Sequence, residues 1–275
     1  MASMLCPSCR KLISVDEPRC PYCGAMRPGL WGFGPALQRF FGRGLELVPI
    51  ITMGCIVLYV IALALDVRGA LQGSRGFFGL LSPSFPANYL LGMTGRFAAQ
   101  KGEWLTTLTA IYLHGGLLHI FFNVMWIRQL GSVAEDELGP ARFFVVFSLA
   151  GAGGFLVSIF GHNAASVGAS GSIFGLLGCM IAFRRRRGAG GDMMSQQFIQ
   201  WAVALFILGL VFPGVDNWAH GGGFVVGYVL GQRMHGIHER PEARNVQLFA
   251  LVLLAMTVAG FVLAIVKRLP EFLGR

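Results

Sequence analysis

Gly168-Ala169-Ser170-Gly171, at the head of an apolar segment, and Ala219-His220-Gly221-Gly222-Gly223, about fifty residues on, decide how the chain is read. A serine hydroxyl is a poor nucleophile near neutral pH and becomes useful when an imidazole within hydrogen-bond reach takes its proton. Both stretches lie in apolar sequence, so the two side chains would have to meet inside a lipid bilayer.

The composition agrees with that setting. Of 275 residues, 55% are hydrophobic and 13% charged, against roughly a quarter charged in soluble domains. The formal charge of +9 could point to nucleic acid, but in a chain with many spans basic residues first report topology. Apolar stretches at 48–65, 105–127, 143–160, 167–183, 198–215, 217–232 and 246–266 predict seven transmembrane helices. The connection 67–104 is too long and too apolar for a bare tether and predicts short helices partly in the outer leaflet. With the N-terminus inside, fifteen of the 22 Lys and Arg residues fall on the inner side, among them the run Arg184 to Arg187. That run reads as a topology anchor rather than a nucleic-acid patch.

This orientation brings the fourth span in at about Val167 and the sixth at about Asn217, both from the outer face. Ser170 and His220 are thereby expected at the same depth, roughly one turn in. Gly171, Gly175 and Gly178 on the fourth span and Ala219, Gly223, Gly227 and Gly231 on the sixth are small residues at helical spacing, which lets two backbones approach closely. Alone, Ser170 reads as a cap or packing serine and His220 as a histidine bonded to a carbonyl. Together, at matched depth, they read as a catalytic pair, because ionisable groups inside a membrane are costly and usually functional.

His119 and Asn123 on the second span are four residues apart and share a helix face. An Asn amide, a His N–H and the Ser170 backbone N–H are donors suited to a tetrahedral oxyanion. His114 lies off that face and either ties the preceding loop to the helix or joins the chemistry. Asp216, four before His220, either orients its ring or caps the sixth helix; capping is the reading we favour, which leaves a Ser-His dyad. Phe174, one turn after Ser170, is placed to pack against the imidazole. Zincin chemistry is not indicated, since H-E-x-x-H is absent and these segments lack carboxylates.

Cys6-Pro7-Ser8-Cys9 and Cys20-Pro21-Tyr22-Cys23-Gly24 are two knuckles ten residues apart. Four thiolates at that spacing suit a tetrahedral structural Zn2+, whereas one C-x-x-C alone would favour redox chemistry. The pattern resembles the short zinc ribbons attached to many bacterial membrane proteins. No early apolar region precedes it, so the cysteines are expected in the cytosol. A Gly, Pro and Arg-rich linker follows, with Trp31, Phe40 and Phe41 at headgroup level. Cys55 and Cys179 read as small core residues.

The membrane portion, from about 48 to 235, resembles the rhomboid intramembrane serine proteases through Gly168-Ala169-Ser170-Gly171, Ala219-His220 with its trailing glycines, and His119 with Asn123. The resemblance implies Ser170 as nucleophile, His220 as general base and acid, and His119 and Asn123 as oxyanion stabilisers, with no cofactor for catalysis. It implies an all-α membrane fold: a six-helix bundle around a short fourth helix, here with an appended seventh helix and a zinc-ribbon-like segment in front. Rhomboids often carry Trp-Arg at the end of the first loop, whereas here Trp104 is followed by Leu105.

The expected organisation is a ribbon at 1–25, a linker at 26–46, the protease core at 47–235, and a cytosolic loop, seventh helix and tail at 236–275. The expected partners are transmembrane protein substrates, the lipid bilayer and a cytosolic protein bound by the ribbon, in a bacterial plasma membrane; nucleic acid is not expected. The competing reading is a non-catalytic relative that escorts membrane proteins. A transporter would carry membrane carboxylates and inverted repeats, and the sequence has neither.

Overall fold

The computed structural model describes residues 3–6, 9, 11–14, 16–24, 46–73, 80–161, 165–188, 192–212, 214–234 and 242–274. Most of the linker, including Trp31, Phe40 and Phe41, lies outside these residues, as does 74–79 of the long connection.

A two-stranded antiparallel ribbon, β1 (Ser3–Leu5) and β2 (Leu12–Ser14), opens the chain, with Met4 opposite Ile13. Helices follow: α1 (Leu47–Leu65), α2 (Val67–Gly73), α3 (Phe85–Leu90), α4 (Arg96–Gln100), α5 (Thr106–Thr109, extended by a 3-10 turn to Tyr112) and α6 (Leu117–Trp126). A π segment, Ile127–Gly131, joins α6 to α7 (Ser132–Leu138); then come α8 (Pro140–Gly161), α9 (Ser170–Arg186), α10 (Met193–Val211), α11 (Asn217–Arg233) and α12 (Arg244–Leu273).

Helices α1, α8, α10 and α12 are long and apolar enough to cross a membrane, and Thr106–Tyr112 with Leu117–Leu138 forms a fifth candidate bent by 93°. The expected single span at 105–127 is therefore corrected. Leu113 and Gly116 are extended, so the chain turns between Tyr112 and Leu117, and the helix bearing His119 and Asn123 runs on to Leu138. The expected fourth and sixth spans are 17-residue helices, about 26 Å long at 1.5 Å per residue. Each residue of α9 from Gly171 to Phe183 is buried, as an all-round apolar helix in the middle of a bundle should be.

Polar side chains from elsewhere in the fold close several helix ends. The Glu135 carboxylate of α7 accepts the N–H groups of Leu47 and Val48 at 2.6 and 3.1 Å, and Glu242 accepts those of Ala141 and Arg142 at 3.2 and 2.8 Å. These bonds satisfy donors that helix starts leave free. At the opposite end of α9 from Ser170, Arg184 pairs with Glu137 and Asp192, and that guanidinium holds the Asp192 carboxyl down to about 2.

The centre of the bundle is the α9–α11 pair, with α8 against both. A Cβ at Gly223 would stand 2.1 Å from the Gly171 carbonyl oxygen, one at Gly227 1.9 Å from that of Gly175, and one at Gly231 2.3 Å from that of Cys179. The helices thus touch backbone to backbone. Gly227→Ala should lower thermal stability in detergent by about 1–3 kcal/mol, whereas Gly221→Ala, whose Cβ would meet nothing within 4 Å, should leave the melting temperature unchanged.

Candidate active site

Helix α9 starts at Ser170, three residues later than the apolar stretch does. Ser166 prevents an earlier start by pairing with Thr94 as an antiparallel bridge, Thr94 N–H to Ser166 O at 3.3 Å and Ser166 N–H to Thr94 O at 2.9 Å. Gly168 then turns the chain at φ 127°, a value that disfavours any side chain, and donates its N–H to Ala110 O at 2.9 Å. Ser170 is half-buried as the first residue of α9. The helix has no side-chain cap, which leaves N–H donors of its first turn open to a ligand.

His220 lies in the first turn of α11, 6% exposed. Its ring stacks on Phe174, centroids 4.4 Å apart and planes at 19°. Since Phe174 is one helical turn after Ser170, the imidazole lies along the face of α9 that Ser170 heads. Nδ1 of His220 has no hydrogen-bond partner, and the ring shares no hydrogen bond with Ser170 among the described residues. Hydrogen bonds at catalytic sites are in general often long without substrate and close only in the reactive complex.

His119 reaches the same turn from α6. A Cβ at Gly168 would be 2.6 Å from His119 Nε2, so the ring lies against the residue two before Ser170. Its Nδ1 accepts the Gly115 N–H at 3.3 Å. In a neutral imidazole an accepting Nδ1 leaves the proton on Nε2, which makes the nitrogen facing the serine loop a donor. Asn123 gives one amide N–H to His119 O at 2.7 Å and keeps a second; its Oδ1 is buried without a partner. His114 lies edge-on to His119 at 5.2 Å with both ring nitrogens buried and unpartnered, while its backbone carbonyl takes the Asn88 amide at 3.4 Å. The tie between loop and helix is thus made by the His114 main chain.

Asp216 caps α11, accepting Ala219 N–H at 3.0 Å. Its Oδ2 also accepts the hydroxyls of Ser158 at 2.5 Å and Ser166 at 2.6 Å. One carboxylate therefore joins the end of α8, the strand before Ser170 and the start of the His220 helix. Nothing in the spacing of Ser158 and Ser166 marks them in the sequence, because their link to Asp216 is made only by the folded chain.

At the other end of the chain, the sulfurs of Cys6, Cys9, Cys20 and Cys23 all lie within 4.8 Å of one another. Cys6–Cys23 and Cys9–Cys20 are separated by 3.8 and 3.6 Å. Tetrahedral thiolates at about 2.3 Å from zinc would be about 3.8 Å apart, so the cluster fits a metal ion. Gly24 leaves the second knuckle at φ 73° and donates to Cys20 O at 2.9 Å.

These features define a multi-pass membrane protein with a polar site at one end of its helix bundle, and sequence comparison places it further. The rhomboid domain family matches residues 101–237. RHOMBOID-like protein 5 of Arabidopsis thaliana is 31% identical over 229 residues, 70% of this chain and 70% of its own length. Rhomboid protease GluP of Bacillus subtilis is 30% identical over 167 residues, 58% of this chain and 32% of its own. Inactive RHOMBOID-like protein 8 of Arabidopsis thaliana is 30% identical over 151 residues, 53% of this chain and 43% of its own. The chain thus spans less than half of the latter two. It belongs to the rhomboid family and is an integral membrane protein.

Asp216→Ala should lower stability by about 1–2 kcal/mol through the lost cap, with a larger loss if the Ser158 and Ser166 hydroxyls are stranded. Asp216→Asn, which can still cap, should melt closer to the unaltered protein; thermal melts in detergent compare the two.

Proposed function

We propose that the protein is an intramembrane serine endopeptidase that cleaves other membrane proteins in or near their transmembrane segments. The observation that carries this is the His220 ring stacked on Phe174, one turn along the helix that Ser170 begins. His220 takes the Ser170 proton, Oγ attacks the scissile carbonyl carbon, and a tetrahedral oxyanion forms. The His119 Nε2–H, the free Asn123 amide N–H and the Ser170 backbone N–H are its donors. As the intermediate collapses, the C–N bond breaks, His220 passes its proton to the leaving amine, and an acyl ester remains on Ser170. Water, deprotonated by His220, then hydrolyses the ester and returns the proton to Oγ. Asp216 serves as a cap and strap rather than a third catalytic member, since His220 Nδ1 donates no hydrogen bond to it.

A helical substrate hides its carbonyls in its own hydrogen bonds, so it must unwind where it is cut. Small or helix-breaking residues are expected there. The positive-inside reading puts the N-terminus in the cytosol, the site at the outer face and, in a bacterium, the protein in the plasma membrane. The boundaries 1–25, 26–46, 47–235 and 236–275 go with this reading. The four cysteines hold a structural Zn2+ that stabilises the ribbon, a module suited to docking a cytosolic protein or a substrate tail.

The test is fluorophosphonate labelling of the purified protein in detergent. The unaltered chain should label, Ser170→Ala and His220→Ala should not, and His119→Ala or Asn123→Ala should slow turnover of a reporter substrate by about 10- to 1,000-fold. An unaltered chain that fails to label beside a reactive control rhomboid would move the escort reading to first place. Elemental analysis should find about one zinc per chain, lost in Cys20→Ser; deletion of residues 1–30 should leave cleavage of a short reporter intact.

A further inference from the structure

Helix α12 has 30 residues and rises about 45 Å, whereas the hydrocarbon layer is about 30 Å thick. Its final turns stand beside the connection between α1 and α5. Arg268 lies in those turns, 1% exposed, and heads the fully buried side chains by size. A buried guanidinium is tolerated only when its charge and its donors are matched, and each partner of this one comes from the connection. Nε donates to Glu103 Oε2 at 3.0 Å and Nη2 donates to the same oxygen; Nη1 donates to the carbonyls of Tyr89 and, at 3.3 Å, Met93. The guanidinium also lies over the Tyr89 ring at 4.2 Å and the Phe97 ring at 5.8 Å. Three residues on, Glu271 accepts the Tyr89 hydroxyl at 3.1 Å and pairs with Lys101 at 3.6 Å.

The contacts continue to the site. Met93, held by Arg268, precedes Thr94, whose N–H and C=O pair with Ser166. The Thr94 hydroxyl accepts that of Thr106 at 3.0 Å. Ser166 is four residues before Ser170 and bonds to Asp216, the cap of the His220 helix. A path of hydrogen bonds and short backbone segments therefore runs from the seventh helix to Ser166, four residues before Ser170, and to Asp216, whose carbonyl accepts the His220 N–H at 3.1 Å.

We infer that Arg268 is a positioning residue for the reaction: through Glu103, Tyr89 and Met93 it fixes the Thr94–Ser166 bridge and thereby the placement of Ser170 against His220. This rests on the reading of those two residues as the catalytic pair. An error of about an ångström in such placement can slow a reaction about a hundredfold, so a loosened brace should act on rate without emptying the fold.

The test is fluorophosphonate labelling of the full-length protein in detergent, followed to its end point so that rate constant and reactive fraction separate. Arg268→Met and Glu103→Gln should lower the rate constant by about 10- to 100-fold with the final stoichiometry near that of the unaltered chain. Arg268→Lys should recover part of the rate, since it keeps the charge but not the fork that reaches both carbonyls. If Arg268→Met does not fold, Glu103→Gln, nearly isosteric, carries the test. Unchanged rate constants in folded variants would overturn the inference, as would a fall in stoichiometry alone, which a merely structural role would give. Failure of the unaltered chain to label would overturn the protease reading and this inference with it.

Discussion

The contact on which the bundle depends is between two backbones. Association of helices in lipid gains little from the hydrophobic effect and relies on close packing. Here the carbonyl oxygens of Gly171, Gly175 and Cys179 lie where Gly223, Gly227 and Gly231 would otherwise place a Cβ. Because both series advance by four residues, one register satisfies all three contacts together. That register puts Ser170, one before Gly171, and His220, three before Gly223, at the same end of the pair. A slip of one turn would displace one of them by about 5.4 Å and, in one direction, would set Ala219 rather than a glycine against the Gly171 carbonyl. The same glycines that let the helices touch therefore also set the alignment of the two polar residues.

Around that end the fold leaves polar atoms short of protein partners: His220 Nδ1, both ring nitrogens of His114, Asn123 Oδ1 and Ser172 Oγ are all buried and unpaired. In folded proteins such groups are few, and most find water or a ligand. His220 lies against Phe174 of α9 and His114 against His119, and keeping such groups polar carries a cost to stability. Asp216 shows the opposite economy. Its carboxylate accepts two hydroxyls and a backbone N–H, which lets one half-buried carboxylate hold three segments in place.

What was legible in the sequence was whatever has a short period or a fixed spacing. The glycine ladders, the Phe174 position one turn after Ser170, the Asp216 cap and the two C-x-x-C knuckles are of that kind, and the structure has each as a contact. The second span was not legible as drawn. Its hydropathy runs unbroken through Leu113–Gly116, but two glycines and an extended Leu113 turn the chain there, and hydropathy carries no record of backbone direction. The start of α9 escaped for a related reason, since Val167 is apolar enough to belong to a helix and only the bridge from Ser166 to Thr94 prevents it. Ser158, Ser166 and Arg268 escaped because no motif or helical spacing ties them to partners that lie 50 or more residues away.

The pair Trp104-Leu105 gains a physical meaning from α12. Leu105 has no donor with which to tie the long connection down, and it instead faces Gly260, where a Cβ would come within 3.2 Å of the Leu105 Cβ and carbonyl oxygen. The seventh helix can therefore lie directly on the segment that leads into α5, and this close approach brings Arg268, about two turns further along, level with Glu103, Tyr89 and Met93. An arginine within the loop would have to fold back on its own chain to meet those groups. One on a rigid neighbouring helix arrives with its direction already set, so less conformational freedom is lost in making the contact. An appended helix is in this sense continuous with the core: it packs on Leu105 through Gly260 and supplies, through Arg268, a charge that Leu105 lacks.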